Sequence, residues 1–271
     1  MVCALTLRYA RDNDTAMNLP VPRLAIFEPY SRVLTHGIFT RRGGVSTGDF
    51  ESLNVSLMVG DSAGNVGENR RRCLASLNLE GKALTVAGLV HGAAVAAVES
   101  APTTAMADGS RVVAGVDALI SATPGRPLLI TAADCLQVIL LDPITPAIGI
   151  VHAGWRGLVG GSIGATIAAM QTTYGTDPRM LIAGIGPGLG PCCAEFTDPQ
   201  RELPGAFAPF IHGRTVDLWA AASRQLREAG LDDARVEVCG ICTRCRHDEF
   251  FSHRGDHGHT GRFAVIVCLQ S

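Results

Sequence analysis

Thr131–Gly157 reads TAADCLQVILLDPITPAIGIVHAGWRG, and the fold is decided by how this stretch is read. Two apolar runs, residues 137–141 and 147–152, flank the turn D-P-I-T-P at Asp142–Pro146. Short apolar runs bounded by turn residues read as a pair of strands. A thiol, Cys135, precedes the first run, and an imidazole, His152, ends the second. A second imidazole, His91, stands upstream in V-H-G. Small residues flank all three: Gly92, Ala133 with Asp134, and Ala153 with Gly154. Two His and one Cys form a three-ligand zinc set with a fourth position open for chemistry. A thiolate and two neutral imidazoles would reduce the charge of the ion to about +1. The same residues also read as a core thiol and two imidazoles satisfied by hydrogen bonds. Separations this wide form no local ligand motif.

Outward from this hairpin, strands are expected at 32–39, 117–120, 128–132, 180–185, 236–240 and 263–268. Residues 84–98 read as strand, turn and strand around His91. Val66, Asn69, Arg70, Cys73, Leu74 and Leu77 recur at helical spacing and predict a helix over 65–77. Further helices are expected over 157–173, despite its glycines, and over 216–229, stopped by Gly230. Strands and helices mix without strict alternation, which predicts an α+β fold rather than a doubly wound sheet. There is no repeat of solenoid period and no low-complexity linker.

Composition excludes several functional classes. The 271 residues are 47% hydrophobic, enough for a large core, and carry a formal net charge of −2. A near-neutral chain has no nucleic-acid footprint. No run approaches the roughly 18 apolar residues of a membrane-spanning helix. The start of the chain lacks a signal-peptide core, and residues 1–22 read as a loosely ordered extension before one domain at 23–271. The nine Cys, odd in number and irregular in spacing, do not resemble a secreted disulfide framework, so a cytoplasmic protein is expected.

Other residues could carry chemistry. Asp134 could orient a metal ligand or cap the following segment. Arg156 follows Trp155 at a helix start, a place for an anion or for a surface Arg over a buried Trp. Arg41 and Arg42 enter a Gly-rich turn that could cradle phosphate or form a plain hairpin. Gly186–Cys193, G-P-G-L-G-P-C-C, is neither a P-loop nor a dinucleotide fingerprint. Cys239, Cys242 and Cys245 are evenly spaced, with His247, His253, His257 and His259 behind them. They lack a second Cys-x-x-Cys, so Cys239 is expected to end a buried strand and the rest to form a loop. The same loop carries Phe250, Phe251, Arg254 and Arg262, which could stack a base and bind an anion.

The chain resembles the YfiH-like, or laccase-domain, family. The resemblance rests on His36–Ser46 (HGIFTRRGGVS), Ser52–Asn54 (SLN), Glu68–Arg70 (ENR), Val90–Gly92, Asp117–Ile120 (DALI), Thr131–Cys135, Val151–Gly157 (VHAGWRG), Gly190–Cys193, Phe250–Arg254 (FFSHR) and Thr260–Arg262 (TGR), all in family order. It spans about residues 35–267.

The resemblance implies one α+β domain with mixed sheets layered between helices. It implies His91, Cys135 and His152 as metal ligands, with zinc as the cofactor and copper as the alternative. Members are described as multicopper polyphenol oxidases, as purine nucleoside phosphorylases that cleave adenosine, inosine and methylthioadenosine, some also deaminating adenosine, and as peptidoglycan-editing factors. A multicopper oxidase needs a separate His-rich cluster. Of eight His here, four sit in the C-terminal loop and only His91 and His152 lie in the V-H-G and V-H-A-G-W-R-G motifs. The expectation is therefore a zinc-dependent phosphorylase taking a purine nucleoside and phosphate, as a monomer or small homo-oligomer. Arg41, Arg156 and Arg254 would neutralise phosphate, and Asp134 would be the nearest general acid. Phe250, Phe251, Arg262 and Asn54 would hold the nucleoside.

Overall fold

The computed structural model describes residues 8–9, 19 and 21–270. The expected loose extension at 1–22 lies almost wholly outside them. Within it, β1 (Arg8–Tyr9) pairs antiparallel with β2 (Pro22–Arg23). Two six-stranded sheets then interleave along the chain. β3 (Leu34–Ile38) and β4 (Thr85–Gly88) enter the first, and β5 (Val95–Ala97) enters the second. β6 (Thr104–Ala105) and β7 (Arg111–Ala114) return to the first, β8 (Ala118–Ser121) joins the second, and β9 (Leu128–Ala132) the first. β10 (Leu136–Asp142), β11 (Ala147–Ala153) and β12 (Ile182–Ile185) extend the second. β13 (Ile211–His212) and β14 (Thr215–Val216) form a small hairpin. β15 (Val236–Val238) ends the second sheet and β16 (Phe263–Leu269) completes the first. The orders are β3-β16-β9-β4-β7-β6 and β15-β12-β10-β11-β8-β5, each with parallel and antiparallel neighbours.

Five helices are described: α1 (Ala63–Ala75), α2 (Trp155–Val159), α3 (Ser162–Tyr174), α4 (Pro199–Glu202) and α5 (Leu218–Glu228). Side-chain alternation sorts them into four layers. Ile139, Leu141, Ile148 and Ile150 meet Ile130, Phe263 and Val265 between the two sheets. On the far side of the second sheet, Val138, Leu140 and Val151 meet Ile163, Ile167 and Met170 of α3 and Ala222 and Leu226 of α5. On the far side of the first, Leu129, Ala264 and Ile266 meet Cys73 and Leu74 of α1. Both faces of the central strands are covered, which explains why they read as continuous apolar runs. This is the expected α+β domain with sheets between helix layers. Among the described residues, no helix is long and apolar enough to cross a membrane.

Local expectations hold with one instructive exception. α1 starts where the Ser62 side chain accepts the Asn65 N–H, and α5 where Asp217 accepts the Ala220 N–H, as good N-caps do. The single helix expected over 157–173 is instead two, α2 and α3. Gly161 between them takes a φ of +73°, a left-handed turn that glycine adopts without cost. The strand, turn and strand expected over 84–98 is present as β4, the turn at His91 and β5. The two strands belong to different sheets. The turn at His91 therefore crosses from one sheet to the other.

Candidate metal centre

His152 sits near the end of β11, paired in register with Gln137 of β10, and Leu136 pairs with Ala153. Continued by one residue, that register sets Cys135 against Gly154. The approach is so close that a Cβ on Gly154 would lie 2.8 Å from Cys135 Sγ and 3.7 Å from His91 Cδ2. Glycine is required here for space. His91 arrives from the turn between the sheets with its ring edge-on to that of His152, centroids 4.9 Å apart. One donor atom each from His91, Cys135 and His152 lies within 4.8 Å of the others. His91 is exposed, Cys135 half-buried and His152 buried, so the trio opens to solvent on the His91 side.

Asp117, just before β8 and fully buried, bonds the His152 ring and the backbone that carries His91. Its Oδ1 accepts the His91 backbone N–H at 2.9 Å, and its Oδ2 accepts the Gly92 N–H at 2.6 Å and the Val90 N–H at 3.3 Å. These bonds hold His91 at a φ of +61°, a conformation non-glycine residues rarely adopt. Oδ1 also lies 2.9 Å from His152 Nδ1. Burial opposes a charged Asp117, but the hydrogen bonds from His152 and the His91 and Gly92 backbone hold its carboxyl below the usual range. A carboxylate can only accept, so Nδ1 of His152 carries the proton and Nε2 is left for a ligand. The sequence reading missed this role. Its signal was the D-A-L-I motif, an Asp at the mouth of an apolar strand.

Burial also opposes ionisation of Cys135, but the charge and hydrogen bond of His152, with help from His91, hold the thiol down to about 6. Burial works against a charged His152, yet the Cys135 charge and the Asp117 hydrogen bond hold it up at about 9. A thiolate facing two imidazoles, one of them pinned by a carboxylate, fits a soft-to-borderline divalent ion.

The other expected residues separate into groups. Asp134, at a φ of +87°, turns its carboxylate under the loop between β15 and β16. Its Oδ1 accepts the hydroxyls of Thr243 and Ser252, each at 2.7 Å, and its Oδ2 accepts the Arg254 N–H at 2.6 Å. All of these bonds fasten the loop. Arg254, exposed, donates to the Glu195 carbonyl at 3.0 Å. Arg262 is half-buried near the trio: burial draws it down, against the opposing charges of Cys135 and Asp134. Arg156 lies over the Trp155 ring, 4.1 Å from its centroid. Arg41 covers Phe251 at 4.7 Å and donates to the carbonyls of Glu51 and His247, bracing one loop against another.

Three expected substrate contacts do not face the site. Phe250 and Phe251 are fully buried among inter-sheet residues, so neither ring presents a face to a base. Asn54 is fully buried, its amide spent on Ser56, Asp61 and the Arg262 backbone. Two half-buried aromatics, Trp155 and Phe196, stand edge-on with centroids 5.7 Å apart. With Leu189, Glu195, Leu218 and Arg254 they line a cavity of about 230 Å³. A larger hollow of about 430 Å³ between α3 and α5 carries none of these groups, so size does not mark the site.

Residues 35–270 match the family described as multi-copper polyphenol oxidoreductase laccase. The chain is 34% identical to the purine nucleoside phosphorylase YlmD of Geobacillus stearothermophilus, over 85% of this chain and 88% of that protein. It is 36% identical to a purine nucleoside phosphorylase of Streptomyces coelicolor, over 86% of this chain and 95% of that protein. The crystal structure of YlmD superimposes with a TM-score of 0.80 at 29% identity, covering 96% of this chain and 98% of that one. That of the Bacillus licheniformis hypothetical protein YfiH gives 0.79 at 28% identity, covering 88% and 93%.

Proposed function

This chain belongs to the multi-copper polyphenol oxidoreductase laccase family, YfiH-like in fold, and from that premise we propose that it is a purine nucleoside phosphorylase. Phosphate attacks C1′ of the ribose, the C–N bond to the purine breaks, and free base and ribose 1-phosphate leave. Residues 23–271 act as one catalytic domain. The observation that carries the reading is the His91, Cys135 and His152 trio, the His152 ring and the His91 backbone tied to Asp117, beside a cavity lined by Trp155 and Arg254. The names of the relatives point the same way.

His91, Cys135 and His152 would hold Zn²⁺, which when bound supplies Lewis acidity toward an oxygen ligand at its open position. The chain's own residues do the rest. Asp117 keeps the His152 proton on Nδ1 and fixes the backbone that presents His91. Arg262, with Arg254 and Arg156 further out, provides the cationic field for phosphate. Trp155 and Phe196 offer faces and edges to a purine. Asp134 acts as a positioning residue by holding the loop that brings Arg254 to the cavity. Holding phosphate in line with C1′ supplies much of the acceleration. Hydrolytic removal of the adenine amino group would use the same metal centre.

A copper-dependent phenol oxidase is the alternative from another class. Among the described residues, only two groups of three or more donors come together, and neither is the His-rich cluster a multicopper oxidase needs. Zinc-quantified protein given adenosine or inosine, with and without phosphate, tests the proposal by chromatography. Free base formed only with phosphate supports it. Full zinc loading without turnover of any purine nucleoside would leave a peptidoglycan-editing or other role.

A further inference from the structure

The loop expected to hold no second metal site contains the means for one. Cys192 and Cys193 follow the G-P-G-L-G-P run, and Cys242 and Cys245 form a Cys-x-x-Cys in the β15–β16 loop. Their four sulfurs all lie within 4.8 Å of one another. Cys245 Sγ is 3.6 Å from both Cys192 Sγ and Cys193 Sγ. The partner of the Cys-x-x-Cys is thus a pair of adjacent cysteines. Cys239, the evenly spaced third, is buried and lies outside the group.

We propose that Cys192, Cys193, Cys242 and Cys245 bind a structural zinc ion, separate from the centre at His91, Cys135 and His152. Tetrahedral Zn–S bonds of about 2.3 Å set sulfurs about 3.8 Å apart, close to the spacing observed here. Backbone bonds bring the segments together: Gly188 pairs with Cys242 in a parallel bridge, Gly188 N–H donates to the Ile241 carbonyl, and Thr243 N–H to the Gly188 carbonyl. Gly190 must be small as well, since a Cβ there would lie 2.6 Å from the Trp219 ring. Cys193 and Cys242 are buried and Cys192 and Cys245 exposed, so an ion can enter from solvent. On binding, the thiol protons pass to solvent and four Zn–S bonds form, with no change of oxidation state.

The consequence is mechanical. Thr243, Ser252 and Arg254, all from the clasped loop, hold Asp134 beside Cys135, and Leu189 N–H donates to the Asp134 carbonyl at 2.8 Å. Zinc at the four cysteines would lock the loop that presents Arg254. None of this depends on the nucleoside reading.

The test is metal content of the full-length, reduced protein with zinc supplied, measured on wild type, on His91→Ala/Cys135→Ala and on Cys192→Ser/Cys245→Ser. Two zinc ions per wild-type chain, with one retained in each double variant, are expected. Cobalt in place of zinc in His91→Ala/Cys135→Ala should show the intense charge-transfer and d–d bands of a four-thiolate site. Cys192 and Cys245 are exposed, so their variant tests binding without emptying the core. If that variant fails to fold, the cobalt spectrum decides alone. Absence of zinc from His91→Ala/Cys135→Ala overturns the proposal. So does a cobalt spectrum without four-thiolate bands, a disulfide among these cysteines in the zinc-supplied protein, or iron in place of the second zinc.

Discussion

Asp117 and His152 are bonded twice: the His152 backbone N–H donates to the Asp117 carbonyl at 2.7 Å, and its Nδ1 meets Asp117 Oδ1 at 2.9 Å. The backbone bond sets the strand and the side-chain bond sets the ring. The second imidazole depends on the same carboxylate, through the backbone N–H of His91. One buried Asp therefore fixes the ring of His152 on β11 and the backbone of His91 in the turn between the sheets.

Asp117→Asn should weaken metal binding about 10–100-fold, the usual cost of losing a carboxylate behind a metal-binding His. The amide can present N–H to Nδ1 and force the proton onto Nε2, the nitrogen the metal needs. Competition with a chromogenic chelator measures the loss. Unchanged affinity would refute the role assigned to Asp117.

Gly154→Ala should remove metal and turnover while leaving the fold intact. The new methyl would sit 2.8 Å from Cys135 Sγ, closer than real contacts allow. Metal content and phosphorolysis report the loss, and far-UV circular dichroism reports the fold. A variant with full metal content would show that Cys135 has room to move.

Asp134→Ala should destabilise the protein by about 2–4 kcal/mol, because the Thr243 and Ser252 hydroxyls and the Arg254 N–H lose a buried, charged acceptor. Asp134→Asn should cost less, since Asn tolerates the φ of +87° and keeps one acceptor oxygen. Chemical denaturation and limited proteolysis of residues 243–254 give the comparison. Equal losses for the two variants would count against loop anchoring.

Trp155→Ala should raise the KM for nucleoside with little change in metal content, given the place of its ring in the cavity wall. Steady-state kinetics with adenosine and inosine check this. Unchanged KM would move the base-binding face elsewhere.

Acid stability should report on His36. Burial, with help from the Arg23 charge, lowers it from 6.5 to about 3, and its Nε2 accepts the Leu24 N–H at 3.0 Å. The folded imidazole stays neutral where the unfolded one takes a proton. Stability from this group is complete above pH 6.5 and falls as the pH drops toward 3, by up to about 1.4 kcal/mol per unit. His36→Gln keeps an acceptor for Leu24 and does not titrate, so its stability should be flatter across that window. Parallel denaturation curves for the two proteins at every pH would contradict the assignment.

Periodicity within the sequence was enough to locate most strands, the capped helices α1 and α5, and the residue types of a metal centre, because these depend on neighbours along the chain. Apolar alternation and turn chemistry act over a few residues, and the backbone follows them. What the packing of two sheets decided was long-range. It split β4 from β5 and hung His91 between sheets. It placed Asp117 under both imidazoles, and buried Phe250 and Phe251, which a linear reading had offered to a base. It also joined Cys192 and Cys193 to a Cys-x-x-Cys some fifty residues away. No local spacing encodes such meetings, since they follow from strand order and register, which are settled only when both faces of each sheet are covered.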